Sequence, residues 1–273
     1  MESISVITSP DVSARGTSRL SARFAALANE GRKALVCYVT AGHPDPEQSV
    51  TLLRGIAGAG ADVIEIGVPF SDPMADGPVI QQSSQIALDH GVSLEHTLQI
   101  VKEAAVDVPV VLFSYLNPII AGGPDVLARA RSAGVDGVLV TDLPVGADPA
   151  REAWFGASGL DFVRLVAPTT PAPRMVEIGH HGGGFVYLIS RLGVTGERAS
   201  LPADLPETVA RLRASTALPI CIGFGISTPD QAKAAARLGD GVVVGSAIVR
   251  AAGRSVQEAL DLASALRAAI DDV

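Results

Sequence analysis

Three carboxylates within twelve residues, Glu65, Asp72 and Asp76, form the set in this sequence best suited to moving protons. Glu65 interrupts the apolar run Val63-Ile64-Glu65-Ile66, and the other two follow in a Gly/Pro-rich stretch that ends at Gly77-Pro78. An unpaired carboxylate on a strand that faces a core is costly to bury. Burial also lifts a carboxyl pKa toward neutrality, where one group can both give and take a proton. Glu65 is therefore the leading candidate for acid–base chemistry. Asp72, before Pro73, reads equally well as a turn or subunit-contact residue. Asp76, before Gly77-Pro78, reads equally well as a turn or as a cap for a helix starting near Val79. A second set is glycine: Gly193 and Gly196, Gly223 and Gly225, and Gly245-Ser246 each follow an apolar run. Bare backbone N–H groups near a helix start suit a phosphate dianion without any lysine. Singly these glycines say little, since any turn can use one; together they indicate a phosphate site. Tyr115, Tyr187 and Phe224 read as core aromatics or as walls of an apolar substrate pocket.

The elements that must position these residues are short and regular. Apolar runs at residues 34–39, 63–66, 110–113, 137–140, 162–166, 185–189, 219–222 and 241–244 have strand length. Between them, residues 46–59, 79–89, 93–106, 125–133, 149–158, 172–179, 206–215 and 229–238 carry amphipathic helical patterns. Alternating strands and helices imply a parallel sheet. A faint repeat recurs before three of the runs: Ala59-Gly60-Ala61-Asp62, Ala133-Gly134-Val135-Asp136 and Leu238-Gly239-Asp240. In each, Gly ends a helix in a left-handed cap and Asp opens a tight turn, so these aspartates are structural. Eight such units predict a (β/α)8 TIM barrel of eight parallel strands, a fold of roughly 250 residues. An open doubly wound sheet is the alternative, but no Gly-rich dinucleotide fingerprint follows the first run. Residues 1–17 read as a loose tail and 18–273 as a single domain. In a barrel, Glu65 falls at the C-terminal end of the second strand, the end where active sites form.

Composition narrows the partners. The chain has 273 residues, 48% of them hydrophobic, with a net charge of −8 and a mean hydropathy of +0.34. High apolar content fits strands covered on both faces. No apolar stretch reaches the ~18 residues of a membrane span, and the Ser/Thr-rich start lacks a secretory h-region. An acidic chain without a Lys/Arg run is a poor ligand for nucleic acid or anionic membrane. Cys37 and Cys221, the two cysteines, read as buried free thiols of a reducing cytoplasm. His180-His181, before Gly182-Gly183-Gly184, reads as a polar loop; no metal site is expected.

Taken together, the motifs resemble the tryptophan synthase alpha chain family. The resemblance rests on residues 64–77, on Tyr38-Val39-Thr40-Ala41-Gly42, Tyr115-Leu116-Asn117-Pro118, Asp142-Leu143-Pro144 and Ala167-Pro168-Thr169-Thr170-Pro171. It continues through Tyr187-Leu188-Ile189-Ser190-Arg191, Gly193-Val194-Thr195-Gly196, Gly223-Phe224-Gly225-Ile226-Ser227 and Val244-Gly245-Ser246-Ala247, in order along nearly the whole chain. It implies a cofactor-free lyase that splits indole-3-glycerol phosphate into indole and glyceraldehyde 3-phosphate. Position by position it makes Glu65 the general acid/base and Asp76 the second catalytic carboxylate. Tyr187 then lines the substrate pocket, Thr195 belongs to a loop at 190–205 that closes over Asp76, and Tyr38, Phe113 and Phe224 wall the indole. Gly196, Gly225, Gly245 and Ser246 make the phosphate cradle. The implied partner is a tryptophan synthase beta chain in an alpha2-beta2 tetramer, with the loop around Asp72 and Pro73 near that contact. Two departures are visible: His43 where many members have Asp, which bears on subunit contact or loop closure, and the Gly182–Gly184 run. The competing functions are a sugar-phosphate isomerase on the same barrel and a chain acting chiefly as an allosteric partner.

Overall fold

The computed structural model describes residues 18–189, 201–223 and 225–273. Eight strands close into a barrel in sequence order: β1 (Ala34–Thr40), β2 (Val63–Gly67), β3 (Val110–Ser114), β4 (Gly137–Val140), β5 (Asp161–Val166), β6 (Val186–Ile189), β7 (Ile220–Gly223) and β8 (Gly241–Val244). Every neighbouring pair is parallel, and β8 returns to β1 through the register Ala34↔Gly241 to Cys37↔Val244. The expected runs thus become the observed strands, displaced by at most one residue at an end. All seven residues of β1 are buried, as a strand packed on both faces requires. Residues with one parity, such as Leu35, Cys37 and Val39, face the helices, while Ala34 and Val36 join the barrel interior.

The helices between strands are α2 (Pro46–Gly58), α3 (Pro78–Asp89), α4 (Leu94–Ala104), α6 (Val126–Ala133), α7 (Pro149–Ala157), α8 (Ala172–His180), α9 (Leu205–Arg213) and α10 (Pro229–Ala236). Four further helices were not anticipated: α1 (Arg19–Asn29), α5 (Leu116–Ala121), α11 (Ser246–Ala252) and α12 (Val256–Asp271). For two of them the signal was present. Ser18 and Ser255 each cap a helix through the side chain. Leu20, Phe24 and Leu27 keep helical spacing, as do Ala259, Ala263, Leu266 and Ile270. His180 closes α8 rather than standing in a loop.

Helix α1 plugs the N-terminal end of the barrel. Leu20, Phe24 and Leu27 pack with Ala34, Val36, Val63, Val111, Leu139 and Phe185. A side chain at Gly137 would collide with Leu20, whose Cδ1 would lie 2.7 Å from its Cβ. The repeat aspartates staple this end together. Asp62 accepts from Leu35 N–H at 2.8 Å, Asp136 from Val110 N–H at 2.9 Å and Asp240 from Ile220 N–H at 2.8 Å. Each turn aspartate thereby holds the start of the preceding strand. Arg19 pairs with Asp136, and both Arg23 and Arg267 pair with Asp62, so the same groups also anchor α1 and α12. The glycine reading needs one correction. Gly60 and Gly134 are left-handed, at φ +102° and +104°, but Gly239 is not. At Gly239 the demand is space: a Cβ would lie 2.9 Å from the Ile220 carbonyl oxygen.

Candidate active site

At the opposite end of the barrel, β2 delivers Glu65 into the interior. It stands between Tyr38 of β1 and Val111 of β3 in register, and only 1% of its surface is exposed. Its Oε1 has no hydrogen-bond partner among the described residues, an arrangement a resting fold seldom keeps without a use for it. Burial pushes the Glu65 carboxyl from 4.5 up to about 8.

Asp76 reaches the same cavity from the loop between β2 and α3. That loop is fastened to the end of β3 by one phenol. Tyr115 Oη donates to Asp76 Oδ2 at 3.0 Å and accepts from Ala75 N–H at 2.9 Å. Burial raises the Asp76 carboxyl from 3.8 to about 6, against the opposing pull of the Tyr115 hydrogen bond. Asp76 does not cap α3, because Gly77 occupies the N-cap without a side-chain bond. Asp72 is exposed and accepts from Ser71 Oγ at 2.6 Å, while its carbonyl receives Met74 N–H in a turn.

Around the two carboxylates stand Tyr38, Phe113, Tyr187, Gly225, Gly245 and Ser246, all of them expected at the site, enclosing a cavity of ≈ 60 Å³. Tyr38 and Phe113 meet edge to face at 5.2 Å and 81°, a favoured aromatic geometry. Burial holds both the Tyr38 and Tyr187 phenols well above their ordinary pKa, as neutral donors. Each phenol lies over a strand-end glycine: a Cβ at Gly67 would overlap Tyr38 Oη, and one at Gly223 would overlap Tyr187 Oη. Gly225 is left-handed at φ +84°. The expected site residues Thr195, Gly196 and Phe224 lie outside the described residues, as does most of the 190–205 loop. Sequence reasoning missed Ile80, Ile226, Val243 and Ala247, which complete the apolar lining, and the Tyr115–Asp76 link. The one available signal was helical or strand parity, which does not tell a pocket wall from core.

His43 is buried, with Nε2 3.2 Å from the Val249 carbonyl of α11. It seats the β1–α2 loop against that helix and has no surface to offer a partner directly. Among the described residues no cluster of three His, Cys, Asp or Glu side chains could hold a metal ion. No helix among them is long and apolar enough to cross a membrane. Cys37 and Cys221 are both buried and unpaired.

The fold and site define a (β/α)8 barrel whose mouth joins one buried and one half-buried carboxylate to aromatic walls and strand-end glycines. Residues 24–271 match the model of the tryptophan synthase alpha chain. Among solved structures, tryptophan synthase from Mycobacterium tuberculosis is 34% identical, with 93% of this chain and 99% of that one covered at a TM-score of 0.87. Tryptophan synthase subunit alpha from Legionella pneumophila is 36% identical over 94% of this chain and 100% of that one, TM-score 0.85. The chain belongs to the tryptophan synthase alpha chain family.

Proposed function

We propose that this chain cleaves indole-3-glycerol phosphate to indole and glyceraldehyde 3-phosphate, with Glu65 as general acid/base and Asp76 as acceptor for the indole N–H. The observation that carries the reading is the pair of unequal carboxyls in one cavity. With Glu65 raised to about 8 and Asp76 to about 6, Glu65 holds its proton at neutral pH while Asp76 is ionised. Two carboxyls split in this way by their surroundings divide acid and acceptor roles.

The reaction begins with delivery of the Glu65 proton to indole C3, which leaves positive charge spread toward the ring nitrogen. Asp76, accepting the N–H, stabilises that charge where it develops. The bond from C3 to the glycerol carbon then breaks, its electrons returning to the ring. The hydroxyl on that carbon loses its proton to the Glu65 carboxylate as the aldehyde forms. Glu65 thus ends in its starting state, which is why a single group tuned near neutrality suffices. Tyr38, Phe113, Tyr187 and Phe224 would wall the ring. Backbone N–H groups at Gly196, Gly225, Gly245 and Ser246 would take the phosphate, and Thr195 would close over Asp76.

A tryptophan synthase beta chain, in an alpha2-beta2 tetramer, is the partner this reading assigns. In its support, the loop that bears Asp76 also bears Met74, an apolar side chain 88% exposed. A partner covering Met74 would act on Asp76 through two residues of backbone. The test is indole release from indole-3-glycerol phosphate by wild type and Glu65→Gln, with and without a beta chain. Release that depends on Glu65 supports the proposal; wild-type silence in both conditions, or full activity of the variant, overturns it.

A further inference from the structure

The loop that brings Asp76 to the mouth is held in part from outside itself. Its own backbone makes two short turns, with Met74 N–H on the Asp72 carbonyl at 2.9 Å and Asp76 N–H on the Pro73 carbonyl at 3.1 Å. It then enters α3 through Gly77, whose place at the N-cap gives no side-chain hydrogen bond to fix the junction. Two side chains from neighbouring elements hold the segment instead. Tyr115, the residue that opens α5, takes the Asp76 carboxylate and the Ala75 N–H. Gln81, in the first turn of α3, takes the backbone on the other side. Its Nε2 donates to the Asp76 carbonyl at 2.9 Å and stands 3.5 Å from the Pro73 carbonyl. Two carbonyl oxygens on one side admit only the NH2 end of an amide. Gln81 is exposed, so packing does not select it; any good helix former would serve α3 equally well at this position.

We propose, resting on the reading of Asp76 as acceptor for the indole N–H, that Gln81 is a positioning residue: it pins the backbone of Asp76 to α3 while Tyr115 pins the side chain, so the carboxylate stands in place before substrate arrives. Fixing one residue from both ends leaves its carboxylate few orientations to lose at the moment of reaction. The benefit falls on turnover rather than on affinity. Positive charge reaches the ring nitrogen only as C3 takes its proton, so a well-aimed Asp76 favours the transition state over the bound substrate.

The test compares Gln81→Met, which keeps the length and helix propensity and removes both donors, with Gln81→Lys, which restores a donor. In the full chain, kcat for indole release should fall about threefold to tenfold in Gln81→Met, the worth of one hydrogen bond. KM should stay unchanged, and Gln81→Lys should remain close to wild type. Amide hydrogen exchange gives the second readout. Residues 72–77 should exchange about threefold to tenfold faster in Gln81→Met, with the barrel strands unaffected and Gln81→Lys again close to wild type. Exchange reads the tether whether or not indole forms, so a silent wild type refutes the lyase reading alone. Unaltered exchange in Gln81→Met, unaltered kcat in an active chain, a loss carried by KM, or an equal loss in Gln81→Lys would each overturn the proposal.

Discussion

The two ends of the barrel use the same residue type in opposite ways. At the N-terminal end Asp62, Asp136 and Asp240 each accept a strand N–H and pair with at least one arginine. At the C-terminal end Glu65 and Asp76 have no ion-pair partner among the described residues, and burial raises both their pKa values. A carboxylate that accepts a strand N–H and pairs with a guanidinium is fixed in place, which makes a clamp. A carboxyl with no cation beside it, whose pKa burial lifts toward neutrality, can exchange its proton, which makes a reagent. The difference shows that the chemistry of an acidic side chain in this fold is set by its supply of N–H groups and cations, and hardly by its sequence neighbours. Asp62 and Glu65 are three residues apart, one just before β2 and the other at its middle.

The sharpest way to break this contrast is Glu65→Gln. Indole formation should fall by roughly three orders of magnitude, the middle of the range for a general acid/base, with the circular dichroism spectrum unchanged. At the other end, Asp62→Asn should leave the mouth chemistry intact and cost stability. The aspartate and Arg267 side chains are only 1% and 9% exposed, and breaking such a pair costs roughly 3–5 kcal/mol. Urea titration measures this loss, and unaltered stability would show that the clamp carries nothing.

A third prediction concerns pH. The folded chain keeps the Glu65 proton up to about 8, whereas an ordinary glutamate releases it at 4.5. Between these values the native state binds a proton that the unfolded chain has released. Glu65 therefore contributes stability that is fully present below 4.5 and is lost as pH rises through about 8. Asp76 has the same sign over the narrower window from 3.8 to about 6. Glu65→Gln should remove the larger part of this slope, so the wild-type and variant stabilities diverge as pH rises from 4.5 to about 8 and run parallel above it. Parallel curves across that window would contradict the assignment.

Smaller effects refine the picture. Tyr115→Phe deletes the donor to Asp76 Oδ2, which lets the Asp76 pKa rise further and frees the loop carrying it. Turnover should drop about tenfold, the worth of a hydrogen bond to a charged group, with the pH–rate profile shifted to higher pH. A profile that scales down without shifting would assign Tyr115 to packing alone. Least affected should be Arg19→Ala. Arg19 is half exposed, so its bond to Asp136 is worth at most about 1 kcal/mol, and a small change in the denaturation midpoint is the expected reading.

Much of this molecule was legible along the chain. All eight strands were found, because a strand buried on both faces needs an unbroken apolar run and the turns between need Gly and Asp. Glu65 was legible for the converse reason, as a charge in such a run. The helices α1 and α12 went unread although their Ser caps and apolar spacing were present, since the eightfold repeat accounts for a barrel without them. Gly239 was assigned the conformation of Gly60 and Gly134 by analogy, yet close approach to the Ile220 carbonyl selects it instead.

Strand count, the parallel arrangement and the identity of the proton-bearing residue follow from local pattern, because side-chain period and burial cost act over a few residues. Which groups stand around that residue is another matter. That Tyr115 holds Asp76 and that Asp62 binds arginines from residues 23 and 267 depend on contacts between segments up to 205 positions apart. Only closure of the barrel brings those segments together, and only then do desolvation and neighbouring charge decide which carboxylates are clamps and which carry the chemistry.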